Sequence, residues 1–143
     1  MIGDCVVDAS VGIKLFLMED GTEAAHQLFS QLTADPPVHL YVPDLFFVEC
    51  GNILWKYTRR FDYPVDNARQ DAINLTTLAI HSVSTANLLN TALKLAVTYG
   101  ITVYDASYAA LAQQLEIPLI TADNPLIRKL HGSGIDCRSL TDI

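Results

Sequence analysis

The chain has 143 residues, 50% of them hydrophobic and 17% charged, with a formal net charge of −7 and a pI near 4.8. That length and apolar content predict a single domain over residues 1–143 with a substantial core, and exclude a disordered chain or a coiled coil. The acidic balance argues against a passive nucleic-acid-binding surface, because phosphate contacts need Lys and Arg. It weighs less against an enzyme whose carboxylates gather round a divalent metal. No apolar run reaches the length of a membrane span and no basic leader precedes one, so a soluble, cytoplasmic protein without membrane contact is expected. Cys5, Cys50 and Cys137 are widely spaced in apolar segments, without the paired spacing of a zinc site, and read as reduced core thiols.

In chain order, Cys5-Val6-Val7 reads as a short strand buried on both faces. Asp8 falls at its carboxyl end, and Ser10 reads as the N-cap of a helix from Val11 to Met18. A second helix runs from Thr22 to Leu32 and stops at Asp35-Pro36-Pro37, followed by a strand over His39–Val42. Asp44 reads as the N-cap of a long helix to Arg60, and Pro64 opens another that reaches about Ile80. His81–Val83 reads as a strand, and Thr85–Tyr99 as a helix ended by Gly100. Ile101–Val103 reads as a brief β-like run before a helix over Ala106–Leu115. Ile117–Thr121 is a further buried strand, Pro125–His131 a helix, and Cys137–Leu140 a last edge strand. Strands alternating with helices predict an α/β fold with a parallel sheet flanked by helices.

On a helical wheel with Glu49 as reference, Leu45, Asn52, Lys56, Arg59 and Arg60 fall within roughly a quarter to a third of a turn. Phe46, Phe47, Cys50, Ile53, Leu54, Tyr57 and Phe61 occupy the opposite arc and should face the core. Val48 and Trp55 share a flank. A solvated charged edge is the ordinary explanation of the Glu49–Arg60 row.

Four acids hold informative places. Asp8 and Asp123 each follow an apolar strand, Asp105 follows the β-like run, and Glu49 lies on the long helix. Taken singly, Asp105 and Asp123 read as helix N-caps and Glu49 as a surface residue. Together, three β-to-helix junctions carrying Asp place carboxylates at the carboxyl edge of one sheet, if those strands are neighbours; that edge is where such sheets bind ligands. Crowded carboxylates repel unless a cation joins them, and all-oxygen ligands favour Mg²⁺ or Mn²⁺ over zinc.

Val7-Asp8-Ala9-Ser10, Glu49 with Asn52, Val103 to Ala112 with Tyr104-Asp105-Ala106-Ser107-Tyr108, and Thr121-Ala122-Asp123 resemble successive blocks of PIN-domain proteins, in the VapC-like branch of ribonuclease toxins. The resemblance spans nearly the whole chain. It implies a three-layer Rossmann-like fold with the first strand central, and an acidic pocket of Asp8, Glu49, Asp105 and Asp123 that binds Mg²⁺ or Mn²⁺. It also implies endoribonuclease activity by metal-activated water, leaving a 5′-phosphate and a 3′-hydroxyl, with Ser10, Asn52 and Thr121 as supports for the carboxylates. Lys56, Arg59 and Arg60 become candidates for steering an RNA backbone. A homodimer and a small antitoxin laid into a groove near the site complete the expectation. The alternatives within the fold are a protein-binding scaffold with little nuclease activity and an RNA-processing ribonuclease that is not a toxin.

Other enzyme classes fit less well. A haloacid-dehalogenase-type phosphatase needs a second Asp where Ser10 stands, and a response-regulator receiver needs adjacent acids after its first strand. No Gly-x-Ser-x-Gly elbow occurs. His26, His39, His81 and His131 lack metal-ligand spacing and read as structural or surface residues.

Overall fold

The computed structural model describes residues 2–143 and builds them round one parallel sheet. Its strands are β1 (Cys5–Val7), β2 (Leu40–Pro43), β3 (His81–Val83), β4 (Leu119–Thr121) and β5 (Cys137–Ser139), in the spatial order β3-β2-β1-β4-β5. The register pairs Val6 with both Tyr41 and Leu119, and Val7 with Ile120. All three residues of β1 and of β4 are fully buried, as their unbroken apolar runs require of strands covered on both faces. From β1 the chain steps outward to β2 and β3, then crosses back to β4 and on to β5. The order therefore reverses between β1 and β4, and in parallel sheets the crevice at such a reversal takes the ligand.

Seven α-helices fill the connections: α1 (Ala9–Gly12), α2 (Thr22–Ser30), α3 (Leu45–Arg60), α4 (Val65–Thr76), α5 (Leu89–Tyr99), α6 (Val103–Leu115) and α7 (Asn124–Lys129). Right-handed crossovers put α1 to α4 on one face of the sheet and α5 to α7 on the other. Helix α6, buried from Ala106 to Ala112, packs on β1, β2 and β4. Its run of alanines lets it lie close to the sheet. No helix among the described residues is long and apolar enough to cross a membrane.

Several elements differ from the sequence reading. The first helix begins at Ala9, not Val11, and passes after one turn into a 3-10 turn over Ile13–Leu15. Ser10 therefore lies inside it, and its hydroxyl is used elsewhere. Ile101–Val103 forms no strand: α6 starts at Val103 with Thr102 as its N-cap, the Thr102 hydroxyl accepting the Asp105 N–H at 3.1 Å. Asp105 accordingly sits in the first turn rather than at the cap. Thr85–Asn87 is a separate 3-10 turn ahead of α5, and α4 stops at Thr76. Phe61 lies past the end of α3 and is exposed, while Phe47, Ile53 and Tyr57 are half-buried. Cys5 and Cys50 are buried free thiols, and Cys137 is free and partly covered.

Gly12 is where α1 meets α3. A Cβ there would stand 2.5 Å from Cζ and 2.6 Å from Cε1 of Phe46, whose ring is fully buried. Gly12→Ala should cost about 1–3 kcal/mol of stability, the usual price of overpacking. Urea unfolding measures this, and an unchanged midpoint would mean the Phe46 ring has room to give.

Candidate active site

The β1–β4 reversal holds the acids together. Asp8 follows β1 directly, and its backbone N–H still donates to Ile120 of β4 at 3.3 Å. Asp8 is 5% exposed, and its carboxylate is gripped from both sides. The Ser10 hydroxyl donates to Oδ1 at 2.5 Å and the Thr121 hydroxyl to Oδ2 at 2.5 Å. Each hydroxyl is itself oriented by an N–H from the turn after β4: Ala122 donates to Ser10 and Asp123 to Thr121, both at 3.0 Å. The bridge fixes the rotamer of Asp8 and ties the ends of two strands that are far apart in sequence.

Asp123 caps α7 with Oδ1, accepting the Leu126 N–H at 3.2 Å, so its capping reading is correct and leaves Oδ2 uncommitted. Asp105 reaches in from α6, and Glu49 from α3, where Oε1 accepts the Tyr108 hydroxyl at 2.5 Å. The four acids, Ser10, Asn52, Lys56 and Tyr108 all line one cleft of about 260 Å³. Thr121 supports its floor from beneath. Asn52 lines the cleft as an exposed side chain, without a hydrogen bond to the acids among the described residues. Arg59 and Arg60 lie outside it, in an adjoining groove.

The acids are undercompensated. Among the described residues the ion pairs are Lys14–Glu19, His39–Asp4 and Arg138–Asp136, and none touches the cleft. Burial pushes the Asp8 carboxyl up to about 6 despite its two hydroxyl donors, and the charge of Asp105 adds to the rise. Burial raises Asp105 as well, helped by the charge of Asp123 and opposed by Thr102 and Lys129. Glu49 is raised by burial first, with Tyr108 opposing and Asp105 adding. The donor chemistry is all oxygen. Yet no group of three His, Cys, Asp or Glu side chains among the described residues is arranged to hold a metal ion as they stand. An ion here would take fewer direct carboxylates and keep water in its shell, a habit of Mg²⁺.

A family profile described as PIN domain matches residues 5–130. The chain belongs to the PIN-domain family. This PIN domain is 37% identical over 128 residues to ribonuclease VapC3 of Pyrobaculum aerophilum, covering 87% of the chain and 92% of that protein. It is 34% identical over 103 residues to exonuclease VapC9 of the same organism, covering 71% and 74%. Among solved structures, PAE2754 from Pyrobaculum aerophilum superposes with a TM-score of 0.70 at 26% identity, over 99% of this chain and 93% of that one. A toxin–antitoxin complex from Klebsiella pneumoniae shares the fold, with a TM-score of 0.64 at 18% identity over 92% and 95%. The PIN chain is thus a relative of the VapC nucleases.

Tyr108 is the cleft residue the sequence reading passed over. Within the alanine-rich PIN helix α6 it looks like core, and it is 1% exposed. Its place three residues after Asp105, on the same helix face, was the available signal. Tyr108→Phe should lower activity several-fold and move the acid limb of the pH–rate profile upward, because Glu49 loses the donor that favours its charged form. An unchanged limb would detach Glu49 from the chemistry.

Proposed function

We propose that this PIN domain is a Mg²⁺-dependent endoribonuclease, with Mn²⁺ as a substitute, acting as the toxin of a toxin–antitoxin pair. One observation carries the reading: four carboxylates, free of ion pairs, meet in a cleft at the sheet reversal of a chain related to ribonuclease VapC3. Asp8 and Asp105 would hold the ion, with Glu49 and Asp123 holding its water or a second ion. Such an ion would lower the pKa of its bound water towards neutrality and would offset charge on phosphoryl oxygens.

The chain's own groups do the rest. Ser10 and Thr121 keep Asp8 in one rotamer, sparing reorganisation as charge develops. Glu49, steadied by Tyr108, is placed to take the proton of the attacking water. Lys56 at the rim faces the phosphate. Water adds to phosphorus, the bond to the 3′ oxygen breaks, and that oxygen leaves with a proton, giving a 5′-phosphate and a 3′-hydroxyl.

The Klebsiella pneumoniae complex supports a protein antitoxin as partner. We extend the proposal to a seat for it in a groove near the cleft and to a homodimer. Incubation of end-labelled cellular RNA with Mg²⁺, with Mn²⁺ and with EDTA tests the reading. Discrete fragments that need metal support it. Mononucleotides alone would replace it with an exonuclease, the activity named for VapC9.

A further inference from the structure

Beside the acidic cleft, along the same helix, lies a groove of about 170 Å³ lined by Trp55, Lys56, Arg59 and Arg60. Lys56 lines both depressions, so they adjoin along α3. Trp55 is 51% exposed, and the Arg59 guanidinium carbon stands 5.0 Å from its ring centroid. Among the described residues none of the three cations joins an ion pair. Three of the chain's nine Lys and Arg residues are thus gathered, unspent, on the last turns of one helix in a protein of net charge −7. Cations at a helix C-terminus complement the dipole, which accounts for Arg59 and Arg60. That explanation covers neither Lys56 nor an indole left half in water.

Around α3 the side chains run in angular order from Trp55 through Arg59, Asn52 and Lys56 to Glu49, at about 100° per residue. Glu49 and Lys56 are seven residues apart, about 10 Å along the axis. A strand of RNA whose phosphate sits over the acids therefore has its neighbouring nucleotide over this groove. Single-stranded nucleic acid is held by such a combination, with bases stacked on aromatic or guanidinium planes and phosphates met by cations. An apolar protein partner would gain little from three unpaired cations. We propose that Trp55 and Arg59 form a stacking subsite for an unpaired base flanking the scissile phosphate, with Lys56 and Arg60 on the adjoining phosphates. The subsite rests on the nuclease reading above and adds to it a preference for single-stranded RNA.

Trp55 is the chain's only tryptophan, so its emission reports on the subsite without any turnover. The experiment titrates the Asp8→Asn protein, in Mg²⁺, with a short single-stranded oligoribonucleotide. It follows both tryptophan emission and the polarisation of a dye on the RNA. Saturable quenching is expected, absent with an abasic oligonucleotide of equal charge and with duplex RNA. Added to the same background, Trp55→Ala should weaken binding roughly tenfold, while Trp55→Phe stays within about twofold. Arg59→Gln should weaken it several-fold. Binding with unaltered emission and no effect of Trp55→Ala would overturn the subsite and leave the nuclease reading standing. No binding by any variant, with wild-type RNA cleavage also absent, would overturn both. Unchanged RNA affinity with altered sedimentation of Trp55→Ala would assign the face to contact between copies of the chain instead.

Discussion

Replacing either Asp8 or Asp105 by Asn is expected to reduce metal-dependent RNA cleavage by on the order of a thousandfold, the scale on which single groups that stabilise developing charge or move protons act. The two substitutions remove charge that enters the cleft from different elements, one at the end of β1 and one on α6. Asn is nearly the shape of Asp, so the comparison isolates charge from packing. At Asp8 the exchange turns one acceptor into a donor facing the Ser10 or Thr121 hydroxyl. Asp123→Asn gives a useful contrast, because Asn also caps a helix and the Leu126 N–H keeps an acceptor. The measurement is fragment yield from labelled RNA at saturating Mg²⁺, with circular dichroism to verify folding. Equal cleavage by wild type and both variants would trace the activity to a contaminant and remove the acids from the mechanism.

The second large effect concerns stability. Without metal, the protein is expected to lose up to about 3 kcal/mol as pH rises from about 4 to above 6. Burial pushes the Asp8 carboxyl up to about 6 in the folded protein, against 3.8 for a free aspartate, and each tenfold step in proton affinity is worth about 1.36 kcal/mol. The folded pKa is the higher one, so the folded state binds the proton more tightly. That stability is complete below the unfolded pKa and disappears as pH climbs through the folded one. Glu49 and Asp105 are shifted in the same direction and steepen the loss. Asp44 and Asp136, held below the usual range by Thr85 and Arg138 respectively, act in the opposite sense at lower pH. Urea melts in EDTA at pH 4.5 and 7.5 should show the difference, and Asp8→Asn should flatten it. Adding Mg²⁺ at pH 7.5 should restore stability by mass action. A flat profile in EDTA would mean that water or side-chain movement already relieves the buried charge.

Much of this layout could be read in the residues. Asp8 and Asp123 announce themselves as carboxylates after unbroken apolar runs, and the parallel sheet follows from the alternation of elements. The angular order on α3 is a matter of helical geometry and came through intact for Glu49, Asn52 and Lys56. The failures have local causes. Ile101-Thr102-Val103 is β-branched throughout and looks like a strand, yet Thr102 caps the helix three residues before Asp105, and capping prevailed over propensity. Phe61 was placed on a wheel that had already ended. Tyr108 was hidden because a buried tyrosine in a core helix and one that holds a carboxylate have the same pattern; only the position of Glu49 across the cleft separates them. Ser10 and Thr121 were expected as supports for the carboxylates only through the family resemblance, and both do donate to Asp8. Their joint bridge depends on β1 and β4 being neighbours, which periodicity does not report.

That bridge spans 113 residues of sequence, the separation of Asp8 from Thr121. Strand β1 therefore waits at the centre of the sheet with one flank open until β4 arrives. At a synthesis rate of about 5–20 residues per second, the two meet on the order of ten seconds after β1 is made. Topology of this kind folds slowly because long loops must close before their contacts form. Asp8 and Glu49 exist early, whereas Asp105 and Asp123 come late. The carboxylate pocket comes into being only once Asp123 has been made, a delay built into the order in which its parts are translated.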